Sequence, residues 1–257
     1  MVDIEILERE GDKFAIDGSK KTYKLKLLIK GESPQFLNAL RRVIQEEIKT
    51  LAIEDVYIIE NNSALWDEFI AHRLGLIVLN TPANLSYNEN VKLYLEKSGK
   101  GYVFASDIKS DNKDVYPVYP DTPIVYLEEG QKIKLEMVAT FGSGRKHAKW
   151  IPAHIYYYSL ADVELEGKLT SDEKKVLEEM GVKITRNKLN IPKEKLYDRT
   201  FLDALETAVK GKIKVIPKNE YVLVIESFGH YSAEDILLLG LEELKGKLKK
   251  FLEELIS

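Results

Sequence analysis

The sequence predicts a mixed α+β protein, and three features predict this class. Several stretches alternate apolar and polar residues with the period of two that is typical of half-buried strands. Two longer stretches carry apolar residues at helical spacing, and the second of them closes the chain. From about residue 166 to 212 the sequence becomes more polar and favours short helices, which indicates a small separate module. The 257 residues suffice for one large core or for two to three smaller units.

Composition and charge narrow the class of protein. With 44% hydrophobic and 31% charged residues, the chain is typical of a folded soluble protein. The net charge of -4 argues against direct binding of nucleic-acid phosphates, so we expect any link to DNA to be indirect. The chain has no cysteine, which excludes disulfides, thiolate nucleophiles and cysteine-ligated zinc or iron–sulfur clusters. The absence of a long apolar run and of a signal-peptide core predicts a cytoplasmic protein with no membrane span. Its richness in Lys and Glu is typical of proteins from thermophiles.

The first fifty residues are expected to form strands and then a helix. VDIEILERE and TYKLKLLIKG alternate as antiparallel strands do. The buried side of the second strand should carry Tyr23, Leu25, Leu27 and Ile29. Ser33 and Pro34 predict a helix start, because serine caps the first amide groups and proline fits the first turn. The apolar stripe of this helix and its continuation comprises Phe36, Leu37, Leu40, Val43, Ile44, Ile48 and Leu51. Its polar face carries Asn38, Arg41, Arg42 and Gln45.

The middle of the chain is expected to be mainly β. AIEDVYIIENNS, VKLYLEK and QKIKLEMVATF all favour strands, and the last of these alternates strictly. A short helix is predicted within SALWDEFIAHRLG, with Leu65, Phe69, Ile70 and Leu74 facing inward. The segment from Asp107 to Pro123 is rich in Asp, Tyr and Pro, which indicates an extended surface loop.

The polar module after residue 166 is expected to contain two short helices, SDEKKVLEEMG and DRTFLDALETAVKG. Since it has no cysteine, packing alone must hold these helices together. The side chains expected to make this packing are Val176, Leu177, Leu202, Leu205 and Val209.

A long helix is predicted at the C-terminus, after the strand VLVIESFG and a capping signal formed by Ser232 and Asp235. Its apolar residues are spaced 4, 3, 4, 3 and 4 apart, which is the a/d seam of a coiled coil. This seam comprises Leu237, Leu241, Leu244, Leu248, Phe251 and Leu255, and it is widened by Leu238, Leu252 and Ile256. The helix could lie on a sheet of its own domain, pair with another subunit, or do both along different edges. A homodimer through the same seam is a further possibility.

The stretch GSGRKHAKW, Gly142 to Trp150, resembles an active-site loop in composition. A phosphate site would need a following helix, but Ile155 to Tyr158 favours a strand instead. His147 and His154 fall short of the three protein ligands of a catalytic zinc site. Ser143 lacks the context of a nucleophile elbow. Because Trp and Arg dominate protein interfaces, we favour a protein contact over a stand-alone enzyme or anion-binding protein that uses this loop.

Three stretches together resemble one family, the alpha-like platform subunits of cellular RNA polymerases. They are FLNALRRVIQEEIKTLAIEDV from Phe36, DEFIAHRLGLIVL from Asp67 and GRKHAKWIPA from Gly144. The chain is similar to the archaeal members of this family, which carry the letter D, and its first two stretches are also similar to the bacterial alpha N-terminal domain. With the C-terminal seam, the resemblance covers nearly the whole chain.

The resemblance implies an α+β architecture of three parts. Residues 1–50 and 220–257 would form a discontinuous alpha-like dimerisation domain. Residues 51–165 and 211–219 would form an inserted, mainly β domain. Residues 166–210 would form a small ferredoxin-like helical module, here without cysteines.

The resemblance also implies a function and partners. The chain would be a non-catalytic assembly subunit of DNA-dependent RNA polymerase, a nucleotidyltransferase whose catalytic residues lie on its two largest subunits. It would pair with a small alpha-like subunit, L, through a helical bundle, and recruit the second-largest subunit and the small subunits N and P. The expected contacts with the large subunits are Asn38, Arg41, Arg42, His72, Arg73, His147, Lys149 and Trp150. Two of these expectations have plain alternatives, since adjacent arginines are often a solvated face and Trp150 could be a core aromatic.

Two positions depart from the family pattern. Val78 stands where relatives usually have proline. Many relatives bind an iron–sulfur cluster or zinc in the third domain, but residues 166–210 contain no cysteine. We therefore expect no cofactor and no metal in this chain.

Overall fold

The computed structural model describes residues 2–11, 22–185, 188–209 and 211–256, and it has the mixed α+β class that the sequence predicts. The strands are β1 (Asp3–Gly11), β2 (Thr22–Lys30), β3 (Lys49–Asn61), β4 (Val91–Ser98), β5 (Gly101–Phe104), β6 (Lys109–Ser110), β7 (Pro123–Leu127), β8 (Lys132–Ser143), β9 (Ala153–Leu165), β10 (Lys183–Thr185), β11 (Lys188–Asn190) and β12 (Ile213–Ser227). The α-helices are α1 (Pro34–Glu46), α2 (Asp67–Gly75), α3 (Ser171–Glu179), α4 (Lys193–Leu196), α5 (Arg199–Ala208) and α6 (Ala233–Ile256). Short 3-10 helices occupy Ala105–Asp107 and Ala148–Trp150.

The chain divides into two compact units, each assembled from three separate segments. The first unit comprises Met1–Leu7, Lys26–Leu37 and Tyr156–Val224. The second unit comprises Glu8–Leu25, Asn38–Ile155 and Ile225–Ser257.

The second unit is built on an antiparallel sheet of order β3-β8-β4-β6. Strand β8 lies between β3 and β4, and bulges interrupt its pairing with β3 between Ile53 and Asp55 and between Ile58 and Glu60. The strict alternation of β8 is confirmed, because every second side chain enters the core. The buried members are Ile133, Leu135, Met137 and Ala139. One sheet face therefore supports the core, and the other is left to solvent.

Helix α2 covers this core with a narrow stripe. Ile70 and Leu74 are fully buried, as expected for residues four apart. Phe69, which was expected to face inward, is 59% exposed, and so that expectation is wrong. A nine-residue helix presents only one stripe to the sheet, and Phe69 lies about a hundred degrees around the helix from Ile70.

The segment from Asp107 to Pro123 was expected to be a surface loop, but it is partly inside. Val115 and Val118 are buried, and Asn80 donates its backbone N–H to the carbonyl oxygen of Tyr116 at 2.9 Å. Loops with many turn residues can still anchor apolar side chains in a core, which composition alone does not reveal.

The strands β1, β2, β12 and β9 are hydrogen-bonded in that order, and most of their residues belong to the first unit. Leu28, Leu160, Val222 and Val224 form a small core on these strands. Tyr23, expected on the buried side of β2, is 40% exposed, whereas Leu28 of the opposite register is buried. Strand β2 is therefore covered on both faces over part of its length, and simple alternation does not describe it.

The module predicted after residue 166 is present in the first unit. Helices α3 and α5 confirm the two predicted helices, and the hairpin β10–β11 and helix α4 are additional. Its core holds Leu177, Val182, Leu205, Val209 and Ile213, and Leu202 is also buried. Val176, an expected packing residue, is 40% exposed. Strands of three residues are too short to show a period, which is why the sequence did not predict the hairpin.

Candidate functional site

The start of α6 is fixed by a cap and by close packing. Ser232 caps the helix, since its Oγ accepts the backbone N–H of Asp235 at 3.1 Å. In the first turns, Ala233, Ile236 and Gly240 are buried. A Cβ at Gly240 would lie 2.3 Å from Cγ1 of Ile44, so only glycine lets α6 approach α1 this closely.

Beyond Gly240, α6 exposes most of its apolar residues. Among the seam residues, Leu237 and Leu244 are half-buried and Leu241 is 37% exposed. The others are exposed by 60% or more, namely Leu248, Phe251 and Leu255. Leu238, Leu252 and Ile256, which widen the seam, are exposed as well. A contiguous apolar helix face of this kind marks an interaction surface.

One carboxylate ties α6 to neighbouring elements. The Glu47 carboxylate accepts a hydrogen bond from Lys247 Nζ of α6 at 2.6 Å and another from Arg145 of the loop between β8 and β9. Arg145 also lies 3.6 Å from Glu46. These pairs hold the base of the exposed helix beside the loop, although exposed ion pairs contribute at most about 1 kcal/mol each.

The polar face of α1 carries the predicted contact residues. Arg41 donates to Asn38 Oδ1 at 3.0 Å and to Gln45 Oε1 at 2.9 Å. Arg42 donates to Glu46 Oε1 at 3.1 Å, and this bond lowers the pKa of Glu46. Both guanidinium groups are thus oriented by residues one turn away, on a surface that stays accessible.

His72 and Arg73 lie at the end of α2, and both are exposed. Arg73 donates from Nη2 to the carbonyl oxygen of Pro123 at 2.6 Å, which fixes the side chain against the start of β7. His72 lies on the same turn with its side chain in solvent.

The loop from Gly142 to Trp150 is organised around the indole of Trp150. This side chain is 1% exposed, and its Nε1 donates to the carbonyl oxygen of Thr140 at 3.2 Å. Thr50 Oγ1 in turn donates to the carbonyl oxygen of Trp150 at 2.9 Å. A Cβ at Gly142 would lie 2.3 Å from the ring, so the first glycine of the stretch makes room for the indole. Trp150 therefore belongs to the core, the alternative that the sequence left open.

The cations of this loop are used within the chain. Lys146 and Lys149 place Nζ 4.8 and 4.4 Å from the centre of a Trp150 ring, in cation–π contact. Both also pair with Glu54, at 3.0 and 2.5 Å, and the hydrogen bond from Lys149 is the largest cause that lowers the Glu54 pKa. His147 Nδ1 accepts the backbone N–H of Lys149 at 3.1 Å and so caps the short 3-10 helix.

These contacts argue against a chemical role for the loop. Its lysines neutralise a carboxylate of the chain itself, and a strand, β9, follows the loop where a phosphate site would have a helix. Within the ranges that the structure describes, no group of three or more His, Asp or Glu side chains could hold a metal ion. His147 and Arg145 remain on the surface, where a protein partner could meet them.

An open cleft of about 940 Å³ lies beside the first turns of α6. It is lined by the segments around Asn80 and Lys113 and by His230, Tyr231 and Leu238. His230 is buried, and its Nδ1 lies 3.0 Å from the carbonyl oxygen of Leu79, which can only accept, so Nδ1 carries the proton. Burial lowers the pKa of His230 to about 4, so its ring is neutral at pH 7.

Sequence reasoning missed several structural residues of this region. Glu54 and Glu47 organise the loop, but a lone glutamate in a strand or turn carries no pattern. Gly240 had only a weak signal, because glycine is disfavoured inside a helix, but Gly246 of the same helix has no atom within 4 Å of its would-be Cβ. His230 carried none, since burial of a lone histidine depends on the tertiary fold.

Comparisons with known proteins point to one family. Residues 56–154 match the family model described as the RNA polymerase Rpb3/RpoA insert domain. The chain is 35% identical over 266 residues to the DNA-directed RNA polymerase subunit Rpo3 of Pyrococcus horikoshii, covering 99% of this chain and 98% of that protein. It is 33% identical over 272 residues to the Rpo3 of Pyrococcus furiosus, with 99% and 97% covered. The Rpo3 of Methanocaldococcus jannaschii is 45% identical over 159 residues, which cover 60% of this chain and 80% of that protein.

These relatives test two predictions from the sequence, the family of the chain and its thermophile-like composition. Rpo3 denotes the same alpha-like position as the letter D, so the predicted family and the archaeal origin of its members are confirmed. The relatives come from thermophilic archaea, in agreement with the composition. No helix among the described residues is long and apolar enough to cross a membrane.

Proposed function

Because this chain belongs to the family of the archaeal DNA-directed RNA polymerase subunit Rpo3, we propose that it is an assembly platform of that enzyme. The chain is a non-catalytic, alpha-like polymerase subunit that works within the nucleotidyltransferase complex and not as a stand-alone enzyme. The alternative of a separate enzyme or anion-binding protein using Gly142–Trp150 has no support, since the charged groups of that loop serve its own structure.

The exposed face of α6 is the observation that carries the proposal. The last four turns present Leu248, Phe251 and Leu255 to solvent, together with their flanking apolar residues. Packing of these side chains against helices of a small alpha-like subunit, L, would remove them from water. Full burial of one such side chain contributes about 1.5–3 kcal/mol, so the whole row of exposed side chains together would offset the cost of association.

A discontinuous dimerisation domain of residues 1–50 and 220–257 agrees with the packing of α1 and α6. These helices touch through Ile44 and Gly240, which are far apart in sequence. The match to the insert-domain model, residues 56–154, falls between them and within the proposed inserted domain of residues 51–165 and 211–219. The module of residues 166–210 would be the third domain.

The contacts with the large catalytic subunits are proposed on the exposed polar residues. Asn38, Arg41 and Arg42 form one patch on α1, where hydrogen bonds to Asn38, Gln45 and Glu46 hold the two guanidinium groups in place. Further candidates are His72, Arg73 and His147, whereas Lys149 and Trp150 would act by holding the loop in shape. The small subunits N and P are proposed as further partners, and contact with DNA would be indirect. We place this assembly in the cytoplasm.

The third domain does not fit the iron–sulfur cluster or zinc site of some relatives. With no cysteine, it has no thiolate ligands, and its centre is occupied by the apolar side chains of Leu177, Val182, Leu205, Val209 and Ile213. We infer that hydrophobic packing holds this domain together, the role that a cluster or zinc ion would have in those relatives. We therefore assign the domain no cofactor.

The test is native mass spectrometry of complexes recovered on a tagged copy of the full chain. We expect recovery with a small alpha-like subunit and the large polymerase subunits. Replacing both Leu244 and Leu248 with Glu should abolish heterodimer formation, because it buries two charges in an apolar interface. The matched control, Lys250→Glu, changes the opposite side of the helix and should assemble normally.

Two outcomes would contradict the proposal. Normal assembly of the Leu244→Glu, Leu248→Glu chain would show that the partner binds elsewhere. Recovery of the wild-type chain only as a homodimer would favour a homodimeric scaffold that uses the same seam.

A further inference from the structure

The solvent-facing side of the second unit's sheet carries two tyrosines on either side of a glutamate. Tyr57 of β3 and Tyr94 of β4 are both paired in register with Glu136 of β8, so the three residues form one row across the strands. All three side chains are exposed, Tyr57 by 59% and Tyr94 by 40%. The neighbouring residues in sequence, Leu93 and Met137, are buried, so this row faces away from the core.

Glu136 differs from the other carboxylates of this sheet face. Glu60 pairs with Lys132 at 3.2 Å, and Glu96 pairs with Lys132 and Lys134 at 3.1 and 3.2 Å. In the described part of the chain, the carboxylate of Glu136 has neither an ion pair nor a hydrogen-bond donor. The fold thus presents one uncompensated negative charge between two aromatic rings.

These side chains line a cleft of about 270 Å³, whose remaining walls are Lys92, Met137 and Val138. This volume lies just below the range of about 300–1,000 Å³ that is usual for small-molecule sites, and it suits a single side chain. Adjacent strands lie about 4.8 Å apart, so Tyr57 and Tyr94 are separated by roughly 10 Å at the backbone. That gap accommodates a planar group in contact with both rings at about 3.5–4 Å.

We propose that this cleft is a docking site for an arginine side chain presented by another subunit of the polymerase. Tyrosine faces attract cations, and the carboxylate at the floor provides the opposite charge. Arginine fits better than lysine, because its planar guanidinium can stack between the rings and pair with both oxygens of Glu136 at once. Lys92 lies at the rim, but its ammonium makes no ion pair with a described carboxylate, so the chain's own lysine does not fill the site.

The choice of a polymerase subunit as the source of the arginine rests on the proposed function, whereas the chemistry of the cleft does not. The first test therefore uses a small probe and the full chain alone. The probe is N-acetyl-arginine methylamide, compared with its citrulline counterpart, which has the same shape without the charge. The chain is labelled with 3-fluorotyrosine, and the resonances of positions 57 and 94 are assigned from the Tyr57→Phe and Tyr94→Phe variants.

We expect the arginine probe to shift these two fluorine resonances with saturation on the order of 10 mM, and the citrulline probe to leave them unchanged. Glu136→Gln should weaken binding roughly fivefold or more, because it removes the charge and keeps the shape. Glu96→Gln is the matched control on the same face, since that carboxylate is already paired, and it should bind like the wild type. Equal shifts with citrulline, an unchanged response in Glu136→Gln, or no saturable shift would overturn the proposal.

The second test identifies the source of the side chain in the assembled enzyme. The photo-crosslinking residue p-benzoylphenylalanine replaces Tyr57, and the chain is incorporated into the polymerase. We expect a crosslink to a segment of another subunit that contains an arginine, with a yield that falls in Glu136→Gln and not in Glu96→Gln. A crosslinked segment without arginine, or none in an enzyme that assembles normally, would reject the site. Failure of the chain to assemble would instead count against the proposed function, and the probe titration would still decide the chemistry of the cleft.

Discussion

The first turns of helix α6 and its later turns have opposite environments, although the apolar seam runs along both. In its first turns Ala233, Ile236 and Gly240 are buried, and Gly240 lies against Ile44 of α1. From residue 241 to 256, no described side chain is buried, although leucines and a phenylalanine continue at the same spacing. The buried residues Ala233, Ile236 and Gly240 lie on a face beside the seam, so helical spacing alone does not tell which face packs on the chain itself. What differs is the presence of a neighbouring helix and of the glycine that admits it.

This difference has a consequence for the stability of the helix. Isolated helices of about 12–15 residues are marginal in water, so the exposed part of α6 depends on its folded first turns or on a partner. We expect the stability of the first turns of α6, residues 233–240 (the docked turns), to respond to changes in the chain's own core. The stability of residues 241–256 (the exposed turns) should respond mainly to partner binding.

The largest effect is expected from acid, through His230. This residue lies two positions before the cap Ser232, is buried, and has a pKa lowered by burial to about 4. The unfolded chain takes up a proton near its ordinary pKa of 6.5, and the folded chain does so only near 4. Stability is therefore complete above pH 6.5 and falls as the pH drops from 6.5 to 4, by up to about 3 kcal/mol.

The measurement is urea unfolding and amide hydrogen exchange of the full chain between pH 7 and 4. The control is His230→Gln, which can keep a donor to Leu79 but does not titrate. Its stability deficit relative to the wild type should shrink as the pH falls, and in the wild type the protection factors of amide exchange should fall first in the docked turns of α6. A constant difference between the two chains across this range would show that the histidine is not held neutral by the fold.

Much of this architecture could be predicted from the sequence, because local signals and periodicity coincide there. Ser33–Pro34 and Ser232 mark the starts of α1 and α6, and the alternation of β8 gives its buried face. The seam of α6 and the family resemblance also follow from the residues themselves.

The remaining features depend on partners that are distant in sequence. Nothing near Gly240 indicates that Ile44 will lie against it, and nothing near Trp150 shows that Gly142 and Thr140 will enclose its indole. Tyr57 and Tyr94 become neighbours of Glu136 only through strand register. Short strands such as β10 and β11 fall below the length at which a period can be recognised.

A smaller effect than that of acid is expected from Gly240→Ala. The added methyl group would lie 2.3 Å from Cγ1 of Ile44 and 2.9 Å from its Cδ1, so α6 must shift away from α1 or Ile44 must change rotamer. Overpacking of this kind costs about 2 kcal/mol, which outweighs the better helix propensity of alanine. We expect a lower urea midpoint and faster exchange in the first turns of α6. In the double variant Gly240→Ala, Ile44→Ala, which removes both Cγ1 and Cδ1, the loss should be smaller than the sum of the two single losses, and strict additivity would mean that the helices are not in contact here.

The smallest effect, and one of opposite sign, is expected from Gly246→Ala in the exposed turns. A Cβ at this position meets no atom within 4 Å, and the backbone has ordinary helical angles, so the methyl group causes no clash. Alanine lowers the entropy of the unfolded chain and raises helix propensity, which should stabilise α6 by about 0.5–1 kcal/mol. Slower amide exchange over residues 241–256 would report this gain, with Gly240→Ala as the matched alanine substitution that loses stability in the same helix. If Gly246→Ala also destabilised the chain, the exposed turns would have to pack on something other than solvent, and the distinction between the two parts of α6 would fail.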